Sequence, residues 1–302
     1  MLPPVNGQTQ GYLDELDRIQ SVLTNVSRQV SSGVRVGVAS DDPAAVPVIY
    51  RAQSAIAMNQ QVQTNLNQTK TELDSGDAAL QQAIKLMDQA TSLGSQAGAG
   101  KPSDSEFKTL LQQAQSIQQA MVAIASTNVN GRYIFSGDTD TQPLYTLDAS
   151  QANGVRLTGP ATSTIAITDA GGNTVWQPKT ATEIFDSSDP ASNVFAALGS
   201  LISAFQNKDG VAAQAAASGI KTAEEHLNQQ LGLYGIGENR VADALSAAIS
   251  SQTTEKQQLG AARDTDVAAA AIQLSQANLE QQSAMSVGAR ISQQKNLFDF
   301  LA

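Results

Sequence analysis

One long seam of small and apolar residues constrains the fold of this chain more than any other feature. Between residues 52 and 94 such residues recur at alternating steps of three and four. This spacing is typical of a long helix packed along a partner helix, and polar positions in the seam fix its register. The sequence therefore predicts a helix from about residue 43 to residue 97. The seam consists of Ala52, Ala55, Asn59, Val62, Leu66, Thr69, Leu73, Gly76, Leu80, Ala83, Met87, Ala90 and Gly94.

Two amphipathic segments lie at the ends of the chain. The first begins at Tyr12, after residues 1–11, which carry two prolines and two glycines and are predicted to be irregular. A lone one-sided helix of this kind is marginal in water, so we expect the two segments to pair as a coiled coil. The first stripe is Leu13, Leu16, Ile19, Leu23, Val26 and Val30. The last segment opens at Asp264, and its stripe is Val267, Ala271, Leu274, Asn278, Gln281, Met285, Gly288 and Ile291.

The stretch from Ser31 to Pro43 joins the first helix to the long one. Gly33 and Gly37 lower its helical propensity. Asp42 followed by Pro43 predicts a helix start, because Asp caps free N–H groups and Pro fits the first helical position. Asp41 and Asp42 could instead form a metal or catalytic pair, but two carboxylates before a proline are more typical of a cap.

Local signals also define the central helices. Ser103 and Glu106 are spaced as a capping box at the start of a helix. An Ala-rich helix is predicted from about residue 211 to 258, interrupted or kinked by Gly232, Gly235 and Gly237. The apolar stripe of the helix that opens at Ser103 is Phe107, Leu110, Ala114, Ile117, Met121 and Ile124. A later stripe is Val194, Leu198, Leu201, Ile202 and Phe205.

Residues 130–190 have a different character. Residues 132–135 are typical of a short strand, and residues 164–168 alternate with period two before a hairpin turn at 169–173 and a return strand at 174–176. This pattern predicts a small β-rich insertion with a thin core. Its seven acidic side chains supply carboxylates for glycan hydrolysis, but the sequence assigns no acid and base pair among them.

The order of elements is close to a palindrome of helix, long helices, β insertion, long helix and helix. We expect a mainly α protein with a small β-rich insertion, built as an elongated rod of antiparallel long helices whose terminal helices pair as a coiled coil. The expected domains are residues 1–43 with 261–302 as the terminal coiled coil, 44–129 with 191–260 as the helical rod, and 130–190 as the β-rich outer domain.

Composition and charge argue against several classes of protein. The absence of cysteine excludes disulfides and thiolate metal sites, and a net charge of −10 disfavours nucleic acid or an anionic membrane as a partner. No apolar run is long enough for a membrane span, and no cleavable secretory signal is expected. Aromatic residues make up only 4% of the chain, which favours helices packed through small residues over an α/β enzyme core.

Three further motifs favour structural interpretations over chemical ones. Asp138 and Asp140 lack the remaining ligands of a calcium loop, so a turn is expected. The glycines at 232–237 have neither a preceding strand nor a following Lys-Ser/Thr, as a phosphate-binding loop requires. His226, the sole histidine, is expected to be an exposed helical residue. No catalytic residue, cofactor site or metal site is therefore predicted.

The motifs, in their order and distances from both ends, resemble those of the flagellin family. Residues 31–36 are similar to its Ser-Gly-x-Arg segment, and Asp41-Asp42-Pro43 is similar to an Asp-Asp stretch that junction proteins of the family follow with Pro. Residues 130–137 resemble the Gly-x-Tyr-x-Phe-x-Gly element of those junction proteins. Residues 264–268 and 297–301 resemble the C-terminal helix and apolar tail of the family.

The resemblance implies a structural, non-enzymatic component of the bacterial flagellum. Its location is then expected outside the cell, at the hook–filament junction, after export by the flagellar type III pathway without a cleaved signal. The implied partners are a ring of further copies, a neighbouring hook-associated junction protein, flagellin, and an export chaperone before secretion. Filament flagellin is the alternative function, and a glycan-acting enzyme in the insertion is a remote one. The assembly interface is expected at Leu13, Leu16, Ile19, Leu23, Val26, Val30, Leu274, Met285, Ile291, Leu297, Phe298, Phe300 and Leu301.

Overall fold

The computed structural model describes residues 7–159 and 164–293. The described chain is mainly α-helical with short strands in its middle, as predicted, and within it no helix has both the length and the apolarity needed to cross a bilayer. Helices α1 to α7 span Gly7–Ser32, Val46–Ala99, Asp104–Ala125, Ala181–Phe185, Val194–Gln206, Gly210–Arg263 and Val267–Gln293. Strands β1 to β6 span Asn128–Val129, Arg132–Tyr133, Tyr145–Leu147, Val155–Leu157, Ile167–Thr168 and Thr174–Trp176.

The seam predicted from the sequence is the buried side of α2. Its large apolar members are almost completely removed from solvent, and polar Asn59 and Thr69 are buried beside them. Ala55 and Val62 are half-buried, which places them at the margin of the same side. The spacing of three and four therefore identified this face correctly. The buried large apolar members are Leu66, Leu73, Leu80 and Met87.

Helix α2 packs antiparallel to α6. The Asn59 side-chain amide donates to Ser251 Oγ at 3.1 Å. Further along α2, Gly76 lies under the ring of Tyr234, so closely that a Cβ there would overlap the ring. Residue numbers therefore rise along α2 as they fall along α6, which confirms the predicted antiparallel arrangement of the long helices.

The capping box at the start of α3 is formed as predicted. Glu106 Oε2 accepts from the Ser103 backbone N–H at 2.5 Å, and Ser103 Oγ accepts from the Glu106 N–H at 3.4 Å. The whole predicted stripe of α3 is buried, as is the predicted stripe of α5. Helix α5 adds its own cap, in which Asn193 Oδ1 accepts from the Ala196 N–H at 2.8 Å. Local sequence signals were sufficient for these two helices.

The predicted interruption of α6 is wrong. The helix runs without a break from Gly210 to Arg263, through Gly232, Gly235 and Gly237. Gly237 is needed for close packing, because a Cβ at this position would lie 2.5 Å from the ring of Trp176. At Gly237 the contact with Trp176 outweighs the helix-propensity cost of a glycine, which is about 1 kcal/mol.

The described strands pair as three separate antiparallel hairpins. Strands β1 and β2 turn through Asn130 and Gly131, both with positive φ, which suits a tight two-residue hairpin. The expected strand at 132–135 ends at Tyr133, and the one at 164–168 is reduced to Ile167–Thr168 with a register irregularity. These two described strands are therefore shorter than predicted, and the three hairpins stay separate.

The described residues in the middle of the chain share their core with the helices. Phe135, Tyr145 and Phe185 belong to the same buried cluster as the faces of α2, α3, α5 and α6. The rings of Phe135 and Phe185 meet edge-on at 5.8 Å, and Tyr145 lies 5.0 Å from Phe195 of α5. The hairpins are therefore held by the helical core, which was not anticipated from their composition.

The chain divides into two compact units. One holds Met1–Ala57 with Gln252–Ala302, and the other holds Met58–Ser251. In the first unit α1 begins at Gly7, so the prediction that residues 7–11 are irregular is wrong. Gly11 has open space around it, and pairing with α7 supplies the tertiary contact that outweighs its poor helix propensity.

Candidate assembly surface: the terminal coiled coil and its joint

Helices α1 and α7 pair, as the sequence predicted for the two ends of the chain. On α1, Ile19 and Val26 are buried, and Leu16, Leu23 and Val30 are half-buried along the same side. These five predicted positions therefore form the intramolecular seam. The sixth, Leu13, is 50% exposed.

The buried side of α7 differs from the predicted stripe. Ala270 and Ala277 are buried, with Leu274, Gln281 and Gly288 half-buried beside them. Two overlapping stripes share Leu274, Gln281 and Gly288, and the structure uses the one that carries alanine. Small residues on α7 leave room for larger side chains on α1. The predicted stripe members that lie exposed instead are Val267, Ala271, Asn278 and Met285.

The two helices run antiparallel with small residues at close contacts. The Tyr12 ring of α1 lies directly against Gly288 of α7, where a Cβ would overlap it. Arg18 of α1 forms an ion pair with Glu15 at 2.6 Å and lies 3.8 Å from Glu280 of α7. All three charged side chains are about half exposed, so these pairs add little stability.

Several large apolar side chains of α7 are exposed. Over Val267–Gln293 the helix has only two charged residues, Glu280 and Arg290. Leu274 is half-buried toward α1, whereas Leu279 is 65% exposed. An exposed apolar surface of this kind marks a site of protein association. The exposed apolar residues of α7 are Val267, Ile272, Leu279, Met285 and Val287.

The remaining predicted interface residues cannot be placed on this surface. Ile291 lies in the last turn of α7, outside the described side chains. The apolar tail residues Leu297, Phe298, Phe300 and Leu301 lie outside the described residues.

The segment that connects α1 to α2, residues 33–45, crosses the segment that connects α6 to α7, residues 264–266. We call each of these segments a joint. Val34 and Asp264 form an antiparallel bridge. The Arg35 N–H donates to the Arg263 carbonyl at 2.8 Å, and the Thr265 N–H donates to the Gly33 carbonyl at 3.0 Å. Gly33 takes a positive φ of 70°, which favours glycine at the point where α1 ends. The two joints therefore hold each other through backbone hydrogen bonds.

Asp42 is a cap and an ion-pair partner at the same time. Its Oδ1 accepts from the N–H groups of Ala44 and Ala45 at 3.2 Å, and its Oδ2 accepts from Arg35 at 2.8 Å. The Arg35 guanidinium, followed by the Ala45 N–H, holds the pKa of this carboxyl below its usual value. Pro43 lies in a turn, and regular helix begins three residues later than predicted, at Val46.

Asp41 stabilises the loop on the α1 side. Its Oδ2 accepts from the N–H groups of Gly37 and Val38 at 2.9 and 3.0 Å, and its Oδ1 accepts from Arg28 at 2.8 Å. The Val38 N–H, followed by Arg28, lowers the pKa of this carboxyl. Asp41 and Asp42 thus have different partners and do not converge on a shared ligand.

Asp140 and His226, which belong to the remaining sequence motifs, make contacts within the fold. Asp140 accepts from Arg132 Nε at 2.6 Å, and Arg132 also pairs with Glu72 at 3.1 Å, beside a pocket of about 360 Å³. His226 is half-buried, with Nε2 3.1 Å from the Glu183 carbonyl, so the prediction of an exposed histidine is wrong. The long-range contact to α4 could not be inferred from helical spacing. Among the described residues no group of three or more His, Cys, Asp or Glu is arranged to hold a metal.

Sequence reasoning missed three parts of this region. It treated residues 31–43 as a bend and did not find the crossing with Arg263 and Thr265. It placed part of the buried stripe of α7 one residue too close to the C-terminus. It also did not predict that the Tyr12 ring packs on Gly288. The run of alanines at the start of α7 was the one available signal, because close helix pairs favour small residues at the contact.

Comparisons with known proteins agree with this arrangement. Residues 6–140 match the family described as the bacterial flagellin N-terminal helical region. The fold is similar to that of a Vibrio parahaemolyticus protein described as a flagellar hook-associated protein, with 18% identity and a TM-score of 0.64 over 74% of this chain and 99% of that one. It is also similar to Bacillus cereus FlgL, with 20% identity and a TM-score of 0.50 over 70% of this chain and 97% of that one.

No curated protein sequence matches the chain. At identities this low the solved structures show the fold alone, and the sequence similarity to the flagellin region is confined to residues 6–140. Residues 6–140 are therefore similar to the bacterial flagellin N-terminal helical region, and the fold is flagellin-like, which supports a structural role in the flagellum.

Proposed function

We propose that this protein is the flagellar subunit that joins the hook to the filament. The observation that carries the proposal is the α1–α7 coiled coil, whose α7 leaves Ile272, Leu279 and Val287 in water in a single chain. A surface of this kind is stable when further helices cover it. The flagellin region, the fold, and the Asp41-Asp42-Pro43 motif support the flagellar assignment.

The partners follow from this role. Further copies of the chain cover the outer surface of α7 and form a ring, with a hook-associated junction protein on one side and flagellin on the other. An export chaperone holds the chain before secretion by the flagellar type III pathway, without a cleaved signal, and the assembled protein is extracellular. The net charge of −10 fits a protein partner better than nucleic acid.

The domain organisation is part of the same proposal. Residues 1–43 with 261–302 form the inner coiled coil, residues 44–129 with 191–260 form the helical rod, and residues 130–190 form the outer part. The crossing of the joints at Val34 and Asp264 supports the first boundary, because both chain segments change from one helix to the next at this point.

Filament flagellin is the second candidate, because the matching family region is that of flagellin itself. The two functions differ in assembly: flagellin extends into long filaments, whereas a junction subunit stops at short oligomers. Electron microscopy of the purified protein under salting-out conditions separates them. Long filaments would favour flagellin over our proposal.

Immunogold labelling of intact flagella tests the assignment directly. An antibody raised against the whole chain is expected to label one position, where the hook meets the filament. Label along the entire filament would identify a flagellin, and label absent from the flagellum would refute both functions. Pre-immune serum and a strain lacking the gene are the matched controls.

A further inference from the structure

A cleft of about 670 Å³ lies between α3, α5 and the end of the β3–β4 hairpin. The positions that line it on α3 include 112, 115, 116 and 119, and those on α5 are 199, 202, 203 and 206. Both sets follow the spacing i, i+3, i+4 and i+7, so each helix presents one continuous stripe to the cleft. Residues 151–154 at the end of the hairpin form the third wall.

The cleft is lined by side-chain amides and by no charged side chain. Each carboxamide offers two N–H donors and a carbonyl acceptor. Apart from that of Gln118, none of the glutamine amides in the cleft has a hydrogen-bond partner among the described residues. The lining therefore suits an uncharged ligand whose groups both donate and accept. The glutamines are Gln112, Gln115, Gln118, Gln119, Gln151 and Gln206.

Gln118 is the buried glutamine of the cleft, with 7% of its surface exposed. Its Nε2 donates to the Asn153 carbonyl at 2.6 Å. Because a carbonyl only accepts, this bond fixes which end of the amide is the nitrogen, and Oε1 is left without a partner among the described residues. A Cβ at Gly154 would lie 2.9 Å from this oxygen, so the glycine avoids covering it. A buried acceptor of this kind is stabilised when a donor reaches it.

We propose that this cleft binds an extended, uncharged segment of another polypeptide through its main-chain amides. A peptide unit carries one N–H and one C=O, and both groups find partners in a side-chain carboxamide. A charged segment would be desolvated in the cleft without an opposite charge. No aromatic side chain lines the cleft, which favours a peptide over a sugar ring that stacks on such a surface.

The size of the cleft sets the length of the segment. Seven residues of helix rise about 10 Å, which is the length of about three residues of extended chain. The side-chain amides of the two helices are therefore expected to contact about three consecutive peptide units. The inference concerns the cleft alone and does not depend on the flagellar role.

An NMR titration of the full chain tests this inference. The probe is a blocked pentapeptide of alternating serine and alanine, and the signals followed are the side-chain amides of Gln115, Gln118 and Gln206. These signals are expected to shift together and to saturate at millimolar peptide. The matched probe is the same peptide with alternate amide nitrogens methylated, so that they cannot donate. It is expected to bind about tenfold more weakly, the order of effect of losing one or two hydrogen bonds.

Paired variants locate the binding on the protein. Gln115→Ala combined with Gln206→Ala removes one exposed carboxamide from each helix stripe and is expected to weaken binding about tenfold. Gln113→Ala is the matched control, because Gln113 is also exposed on α3 but lines a different groove, beside α2. The control is expected to bind the peptide as the wild type does. Circular dichroism of all variants is expected to show unchanged helicity.

Five results would overturn the proposal. The wild type could show no saturable shifts, the methylated peptide could bind equally well, or Gln113→Ala could weaken binding as much as the double variant. Tighter binding of chitotetraose at the same signals would identify a saccharide site. Shifts of these signals with protein concentration alone would identify a second copy of the chain as the occupant.

Discussion

Substitution of single glycines in α6 tests how the hairpins are held on the long helices. Gly232 is exposed with open space around it, whereas a Cβ at Gly237 would lie 2.5 and 2.6 Å from two atoms of the Trp176 ring. Both glycines lie in the same unbroken helix, so the gain in helix propensity on changing to Ala is similar, about 1 kcal/mol. The two variants therefore differ mainly in the ring contact.

The ring of Trp176 has little room to move away. It packs against Tyr234 with the ring centres 5.2 Å apart, and Tyr234 itself lies against Gly76 of α2. Overpacking of this kind costs roughly 1–3 kcal/mol. Because Tyr234 stands behind the Trp176 ring and Gly76 of α2 stands behind Tyr234, the cost is expected in the upper half of that range. After the propensity gain, Gly237→Ala is expected to lower the free energy of unfolding by about 1–2 kcal/mol. Gly232→Ala is expected to raise it by about 0.5–1 kcal/mol.

Chemical denaturation followed by two signals measures both variants. Far-UV circular dichroism reports the helices, and tryptophan fluorescence reports this contact alone, because Trp176 is the single tryptophan of the chain. A red shift of the native emission is expected for Gly237→Ala and not for Gly232→Ala. If both variants were stabilised equally, the contact with the Trp176 ring would not be the reason for a glycine at position 237.

Three further predictions concern the terminal unit. Leu279→Asp is expected to block self-association in sedimentation while leaving helicity unchanged, with Gln282→Asp as the control on the same helix; equal effects would contradict an apolar interface. Removal of Leu297–Ala302 is expected to leave a soluble, helical monomer that forms no ring, and normal assembly of this variant would exclude the tail from the interface. The pKa values of Asp41 and Asp42 are lowered in the folded chain, so their contribution to stability is present above the unfolded carboxyl pKa, about 3.9, and is lost as the pH falls through the lowered values. The difference in melting temperature between wild type and Asp42→Asn should therefore be present at pH 7 and shrink toward pH 3; a difference independent of pH would contradict the ion pair.

Local patterns were enough to predict most of the helical architecture. The seam of α2 and the stripe of α3 are buried as predicted, and Ser103 and Glu106 form their capping box. These features depend on residues three or four apart, and their physics is contained within one or two helical turns. The tight turn at Asn130 and Gly131 is local in the same sense. The lengths of the strands at 132–133 and 167–168 were not predicted correctly.

The buried face of α7 could not be predicted from local patterns. Two stripes on α7 share Leu274 and have nearly equal apolar character, so spacing alone could not decide which one faces α1. The structure buries Ala270 and Ala277, because the larger side chains of α1 need small residues opposite them.

The sequence by itself determined that the chain forms long paired helices around a β-rich middle, and that its two ends need each other. Its motifs also indicated the flagellin family, which the match over residues 6–140 supports. Only the tertiary structure decided which face of α7 is covered, that Gly237 packs against a ring while α6 continues unbroken, and that the Arg35 backbone pairs with Arg263. The reason is that these contacts join residues far apart in the chain, and no local period encodes the partner.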